Sequence, residues 1–305
     1  MKVPEPVAQM LLACHQEEGR QWLDNLPRVL EELCERWQLR LGTPFEGGCV
    51  AFVAPAQDAS GRRVVLKVSI LDDETRQEGD ALAFWAGRGA VQLMDRDPEH
   101  GALLLERAEP GIPLSSLPDQ GDAMRIGCEV LRRLWRPIQS PHPFQTVRQL
   151  VTDWSRTLKI DYENAGKPFP QPLVDCAVDL CGELADSEEA PVVANRDFHF
   201  GNVVAATREP WLAIDPKPLA GERAFDTGYL LRALLSDGFD AAEVRRVARC
   251  LSAELQLPMR RIAAWALVRA IDNALWCLEA KQPGFELEIA CAEALLDLTA
   301  QAPGD

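Results

Sequence analysis

No Cys-x-x-Cys pair occurs in the chain, and its nine cysteines, at 14, 34, 49, 128, 176, 181, 250, 277 and 291, are odd in number and scattered. Without paired spacing or a histidine-rich stretch, neither a disulfide framework nor a zinc site is indicated. Thiols at helical spacing among apolar residues read instead as buried and reduced. Also missing is an apolar run of the about 18 residues that a spanning helix needs. Leu11-Leu12-Ala13-Cys14 looks like a lipoprotein cleavage box, but Pro4, Glu5, Pro6 and Gln9 interrupt the segment before it. That segment is no signal peptide, so a cytoplasmic protein without membrane contact is expected. Basic residues are in deficit, 32 against 47 acidic, for a formal charge of −15. A nucleic-acid backbone or anionic membrane would be repelled by that field, whereas a cationic small molecule would not. Neither G-x-G-x-x-G nor G-x-x-x-x-G-K-[ST] is present, nor any internal repeat or low-complexity tract.

What is there is ordinary for a globular protein: 47% hydrophobic and 26% charged residues over 305 positions, enough for two lobes with a core each. Trp22, Leu26, Val29, Leu30, Leu33 and Trp37 recur at helical spacing. After Gly42 the pattern becomes strand-like at 50–55 and 63–68, joined by the turn cluster Asp58-Ala59-Ser60-Gly61, which predicts an antiparallel hairpin. A helix is expected over 74–87 and strands at 91–94 and 102–105. Glu109-Pro110-Gly111-Ile112-Pro113 then breaks regular structure as a hinge. Helical patterns dominate the rest, at about 121–136, 146–162, 172–186, 225–236, 241–255, 259–280 and 285–300. The expectation is an α+β protein, with a sheet-rich lobe over 1–107 and a helical lobe over 108–305.

The chemistry concentrates in Asn195-Arg196-Asp197-Phe198-His199-Phe200-Gly201-Asn202 and in Ile214-Asp215-Pro216. Phosphoryl transfer needs a carboxylate to orient the attacking hydroxyl and oxygen ligands that hold Mg²⁺ against nucleotide phosphates. Asp197 suits the first role, and Asn202 and Asp215 the second. The spacing matches the H-R-D-x-x-x-x-N catalytic loop of protein kinases, except that the histidine is missing. Upstream, Lys67 sits in an apolar strand and Glu78 opens the next helix, the pair that a kinase uses on the phosphates. A strand lysine ordinarily alternates out to solvent, which is the competing reading. Gly42, Gly47 and Gly48 let a backbone approach phosphates, or simply form a turn. The order of these features along the chain is the one a kinase requires.

The run from Asp197 to Asn202, then Arg208-Glu209-Pro210-Trp211-Leu212-Ala213-Ile214-Asp215-Pro216-Lys217-Pro218, then Ala224-Phe225-Asp226, resembles the aminoglycoside phosphotransferase family, in its streptomycin 6-kinase and hydroxyurea-kinase branch. Gly42 to Gly48, Glu78 to Trp85, Gly101 to Arg107 and Trp265 to Ala270 extend the resemblance over nearly the whole chain. It implies a bilobal, protein-kinase-like fold with an antiparallel-sheet N-lobe and a mostly helical C-lobe. It also implies ATP with Mg²⁺ and a small-molecule acceptor phosphorylated on a hydroxyl, such as streptomycin. In this resemblance Asp197 is the catalytic base, and Asn202 and Asp215 are the metal ligands. Lys67, Glu78, Gly47, Gly48 and the hinge residues Glu106 and Ala108 bind nucleotide, while Asp226 braces the C-terminal lobe. Asn195-Arg196 stands where the family commonly has His-Gly, and Phe200 where it commonly has Pro. Asparagine can hydrogen-bond a backbone group in place of the histidine.

Lys217 reads either as a phosphate contact or as a surface lysine between prolines, and His199 as a loop-packing residue. For the acceptor, Asp272, Trp276 and Glu279 fall on one helical face, carboxylates beside an aromatic that suit a polycation. A core tryptophan with solvated acids is the competing reading, and Asp153, Asp161 and Glu163 compete for the role. The expected protein is a small-molecule kinase, monomeric or homodimeric. A metabolic kinase with another acceptor and a nucleotide-binding module without catalysis are the alternatives.

Overall fold

Five antiparallel strands, β1 (Arg40–Leu41), β2 (Ala51–Gln57), β3 (Arg63–Ser69), β4 (Leu93–Asp97) and β5 (Ala102–Glu106), form one sheet in the order β1-β2-β3-β5-β4. Alternation along β2 and β3 sends Phe52, Ala54, Ala56, Val64, Leu66 and Val68 to one face. There they pack on Leu26, Val29, Leu30 and Leu33 of helix α1 (Glu5–Arg36). This is the computed structural model of the chain, describing residues 3–45, 51–187, 189–236 and 238–300, without the side chains of Asp73 and Glu74. The expected glycines Gly47 and Gly48 lie outside the described residues.

The chain divides into two units: Met1–Ile112 with Ala205–Lys217, and Pro113–Val204 with Pro218–Asp305. Residues 205–217 therefore group with the sheet unit, whereas the sequence assigned everything from 108 onward to the helical lobe. The reason is local pairing. Strand β8 (Trp211–Ala213) accepts from the Val91 amide at 3.0 Å and donates from Ala213 to the Gly89 carbonyl at 2.8 Å. Ala205 likewise accepts from the Gly111 amide at 2.9 Å and donates to the Ile112 carbonyl at 2.8 Å.

On the other face of the sheet the expected 74–87 helix breaks at Gln77 into α2 (Asp73–Arg76) and α3 (Glu78–Trp85). Asp72 caps α2 through a reciprocal bond with Thr75. Gly79 lets α3 press onto the sheet, since a Cβ there would stand 3.1 Å from Leu103 Cδ2. The break leaves Glu78 on the first turn of α3, facing β3.

In the second unit α5 (Val147–Asn164), α6 (Gln171–Leu184), α7 (Phe225–Ala233), α8 (Ala241–Leu255) and α10 (Phe285–Thr299) pack around α9 (Met259–Glu279), and α4 (Gln120–Leu134) packs on α8. Ala263, Ala264, Ala266, Ala270 and Ala274 keep α9 slim, so that helices close on it from several sides. Trp265 is fully buried edge-on to Phe225, with its indole N–H donated to the buried carboxylate of Glu222. Strand β6 (Val192–Asn195) pairs antiparallel with β9 (Pro218–Gly221), Asn195 opposite Pro218, and the short strand β7 (Val203–Ala205) follows the 197–202 loop. Among the described residues, no helix is long and apolar enough to cross a membrane.

Candidate active site

Lys67 does not alternate out to solvent. β3 is a central strand covered on both faces, so the side chain has only 8% exposure and needs partners. Its ammonium lies 2.8 and 2.7 Å from the two carboxylate oxygens of Glu78 and 2.5 Å from Oδ1 of Asp215. Burial pulls the Lys67 pKa down, but the facing carboxylates of Glu78 and Asp215 outweigh it and hold the ammonium above its ordinary range. Burial pushes Glu78 up, opposed by Lys67 and, further off, by Lys217. Half-buried Lys217 thus contributes positive charge to the same group of residues.

Asp215 differs from its partners. Its side chain is 51% exposed and its backbone is left-handed, φ 50°, a conformation that a non-glycine residue adopts at some cost. An ionised carboxylate has about four acceptor sites, more than one ammonium uses. Asp215 therefore suits an oxygen ligand to a hard cation. Among the described residues no group of three or more His, Cys, Asp or Glu could cage a metal by itself. Mg²⁺ needs no such cage, because it takes one or two protein ligands and completes its shell with water and phosphate.

At the end of β5, the Glu106 amide donates to Gln92 O at 2.8 Å and its carboxylate is gripped by Arg208 through contacts of 2.9, 3.1 and 2.8 Å. Arg208 also donates to the carbonyls of Gly87, at 2.5 Å, and Ala90, at 2.9 Å. It ties the end of β5, the turn after α3 and the approach to β8 together. In the sequence Arg208 stands out only as the first residue of the 208–218 segment. Ala108, two residues beyond Glu106, is half-buried.

In the second unit, the loop after β6 carries Asp197. The Asp197 amide donates to Oδ1 of Asn195 at 3.2 Å, so the asparagine that replaces the usual histidine does bond a backbone group. Nδ2 of Asn202 lies 3.2 Å from the Asp197 carbonyl and 3.4 Å from its carboxylate, and the planar amide turns Oδ1 elsewhere as an oxygen donor. His199 accepts from the Gly201 amide at Nδ1 and stands edge-on to Tyr229, a packing role. Phe200 fills space that Gly127 of α4 leaves, where a Cβ would come within 2.5 Å of the ring.

Asp226 is buried and accepts at 2.6 Å from both the Asn195 amide and the Trp135 indole N–H. Burial pushes its pKa up to about 7 against those two bonds. It anchors the strand end from which the Asp197 loop departs.

The acceptor candidates separate. Asp272 keeps 27% side-chain exposure, pairs with Arg269 at 3.7 Å, and feels both Arg196 and Asp161. Trp276, one turn on, is 52% exposed and is no core tryptophan. Glu279 is exposed on the last turn of α9, and Asp153, Asp161 and Glu163 are exposed on α5. Asp272 is thus the one of the three α9 candidates brought near the loop that carries Asp197. Arg269 was missed, although the sequence held it within Trp265 to Ala270.

Comparison with known proteins now decides the family. The family described as aminoglycoside/hydroxyurea antibiotic resistance kinase matches residues 36–281. The chain belongs to this family. It is 37% identical over 301 residues to the hydroxyurea phosphotransferase of Kitasatospora aureofaciens, covering 97% of this chain and 86% of that one. It is 33% identical over 287 residues to the streptomycin 6-kinase of Streptomyces glaucescens, covering 92% of each. Among solved structures, a thermostable mutant of aminoglycoside phosphotransferase APH(4)-Ia, in ternary complex with AMP-PNP and hygromycin B, superposes with TM-score 0.64 at 16% identity. That match covers 90% of this chain and 99% of the other. Choline kinase from Cryptosporidium parvum superposes with TM-score 0.59 at 12% identity, over 89% and 95%. These likenesses establish a kinase-like α+β fold, and the family makes the protein a small-molecule kinase.

Proposed function

We propose that the protein transfers the γ-phosphate of ATP, with Mg²⁺, to a hydroxyl of a small cationic acceptor, with 6-O-phosphorylation of streptomycin as the leading candidate. The observation that carries this reading is the buried Lys67 ammonium held between Glu78 and the half-exposed Asp215. A lysine so fixed stays charged for nucleotide phosphates, and the outer carboxylate, half exposed, is the kind of oxygen ligand a hard cation takes. In this reading Asp197 orients the acceptor hydroxyl and receives its proton. Asn202 and Asp215 are the oxygen donors that would hold Mg²⁺, whose charge would offset that of the phosphates. Lys217 adds positive charge for the phosphoryl group in flight. Glu106 and Ala108 offer backbone groups to adenine. Asp272 takes a cationic or N–H-rich part of the acceptor. Catalysis is then positioning plus electrostatics, without a covalent enzyme intermediate.

Hydroxyurea is the second reading, favoured by the 37% identity to a hydroxyurea phosphotransferase. Streptomycin carries guanidine groups beside ring hydroxyls, and hydroxyurea a urea beside its hydroxyl. Both present a planar N–H fork that a carboxylate accepts. An ATP-coupled assay with each compound, followed by mass-spectrometric mapping of the product, tests the proposal. A phosphorylated product in either assay supports it. Tight ATP binding without transfer to streptomycin, hydroxyurea or a panel of sugar and amino-alcohol acceptors would instead favour a nucleotide-binding module.

A further inference from the structure

The second unit encloses a guanidinium to which the mechanism above gives no role. Arg269 of α9 has 12% side-chain exposure and lies between two aromatic rings, 5.7 Å from the centroid of Trp154 on α5 and 5.8 Å from that of Tyr229 on α7. Its stem passes where Gly228 has no side chain, since a Cβ there would stand 3.0 Å from Arg269 Cγ. One terminal nitrogen reaches the carbonyl of Arg196 at 3.4 Å, and the other lies 3.7 Å from Asp272. Arg196 immediately precedes Asp197.

A buried charge is costly, and an arginine kept in such a slot has usually been given work that a neutral side chain cannot do. Three helices fix this one. Trp154 and Tyr229 hold the plane of the guanidinium, and the fork then points one arm at the loop backbone and the other at Asp272. Burial lowers the Arg269 pKa, while Asp272 first and Asp197 further off oppose it, so the catalytic carboxylate lies within its electrostatic reach.

We infer that Arg269 is a positioning residue: it fixes the main chain at Arg196, and through it Asp197, in register with the Asp272 carboxylate that meets the acceptor. This rests on the reading of Asp197 as the catalytic carboxylate. A misplacement of the loop by about 1 Å costs turnover by about 100-fold, while Lys67, Glu78 and Asp215 on the nucleotide side keep their mutual contacts.

The test compares Arg269→Met and Arg269→Lys with the wild type and with Asp197→Asn. Hydrogen exchange of peptides spanning residues 195–202 needs no acceptor. We expect exchange in Arg269→Met to be about 10-fold faster there and unchanged over β3 and α3, with Arg269→Lys between the two. Lysine keeps the stem and the charge but not the fork, and it carries the test should Arg269→Met not fold. With streptomycin and hydroxyurea as probes, kcat falls and the acceptor KM rises, while the ATP KM, which the loop reaches only through Asn202, moves by a smaller factor than either. Unchanged exchange over 195–202, or a loss shared equally by the ATP KM and by exchange across the whole unit, overturns the inference. Full turnover by Asp197→Asn would instead sink the reading on which it rests. Loss in Asp197→Asn beside wild-type kinetics in both Arg269 variants sinks the inference alone.

Discussion

Nζ of Lys67 lies 2.5 Å from Oδ1 of Asp215, a residue 148 positions later in the chain. The same ammonium meets both oxygens of Glu78, at 4% side-chain exposure, so a strand, a helix and a distant loop depend on one cation. Removing it leaves the Glu78 carboxylate buried and unpaired, at a cost of about 3–5 kcal/mol. Lys67→Met should therefore lose much of the protein's stability along with ATP-dependent activity. Lys67→Met combined with Glu78→Gln should recover part of the stability and none of the activity. Chemical denaturation of both variants checks this. Equal destabilisation would mean that the pair carries less of the fold than its burial implies.

Stability should also depend on Asp226. Its folded pKa, about 7, is raised above the ordinary 3.8. In the window between them, the folded state holds a proton that the unfolded state has released. The contribution is fully present below about pH 4 and is lost as pH rises toward 7. That difference corresponds to roughly 4 kcal/mol at most. Other carboxylates, such as Asp97 and Glu106, are lowered and act in the opposite sense. The check is therefore the difference in unfolding free energy between wild type and Asp226→Asn, measured from pH 4 to 8. It should move against the wild type as pH rises, and a flat difference would contradict the assignment.

Gly127 and Phe200 make a packing prediction. A methyl at 127 would intrude within 2.5 Å of the Phe200 ring, so Gly127→Ala should cost about 1–3 kcal/mol and disturb the turn that carries Asn202. Phe200→Ala in the same background should return part of that stability. Thermal denaturation of the two single variants and the double variant gives the coupling.

Arg208→Ala should raise the ATP KM several-fold and lower the melting temperature, because the end of β5 and the approach to β8 lose their common tie. Arg208→Lys should not restore either. A single ammonium cannot grip the Glu106 carboxylate in parallel and also reach the carbonyls of Gly87 and Ala90. Steady-state kinetics with varied ATP and calorimetric melting check both statements.

The sequence made some of this legible for definable reasons. The Asp197 to Asn202 spacing is local, so a short loop had to bring the two together. The hairpin, the helix register and Asp226 as a brace were read from periodicity and resemblance. Lys67 was harder, because alternation sends a strand lysine to solvent unless the strand is central, and centrality is a property of pairing between distant segments. The segment holding Asp215 joined the sheet unit through the Gly89, Val91 and Gly111 bonds, which no window of sequence contains. On α9 the i, i+4, i+7 spacing puts Asp272 and Trp276 one turn apart. It could not foresee that Arg269, oriented by rings from α5 and α7, would turn toward Asp272 while Trp276 stayed exposed.

Turnover of Asp197→Asn in an ATP-coupled assay, with streptomycin and hydroxyurea as acceptors and ATP binding measured alongside, bears on the whole scheme at once. The variant should bind ATP as the wild type does and lose turnover by about 100- to 10,000-fold, the usual worth of a positioned proton acceptor. Turnover equal to the wild type would remove Asp197 from the chemistry, and with it the role assigned to the loop around it.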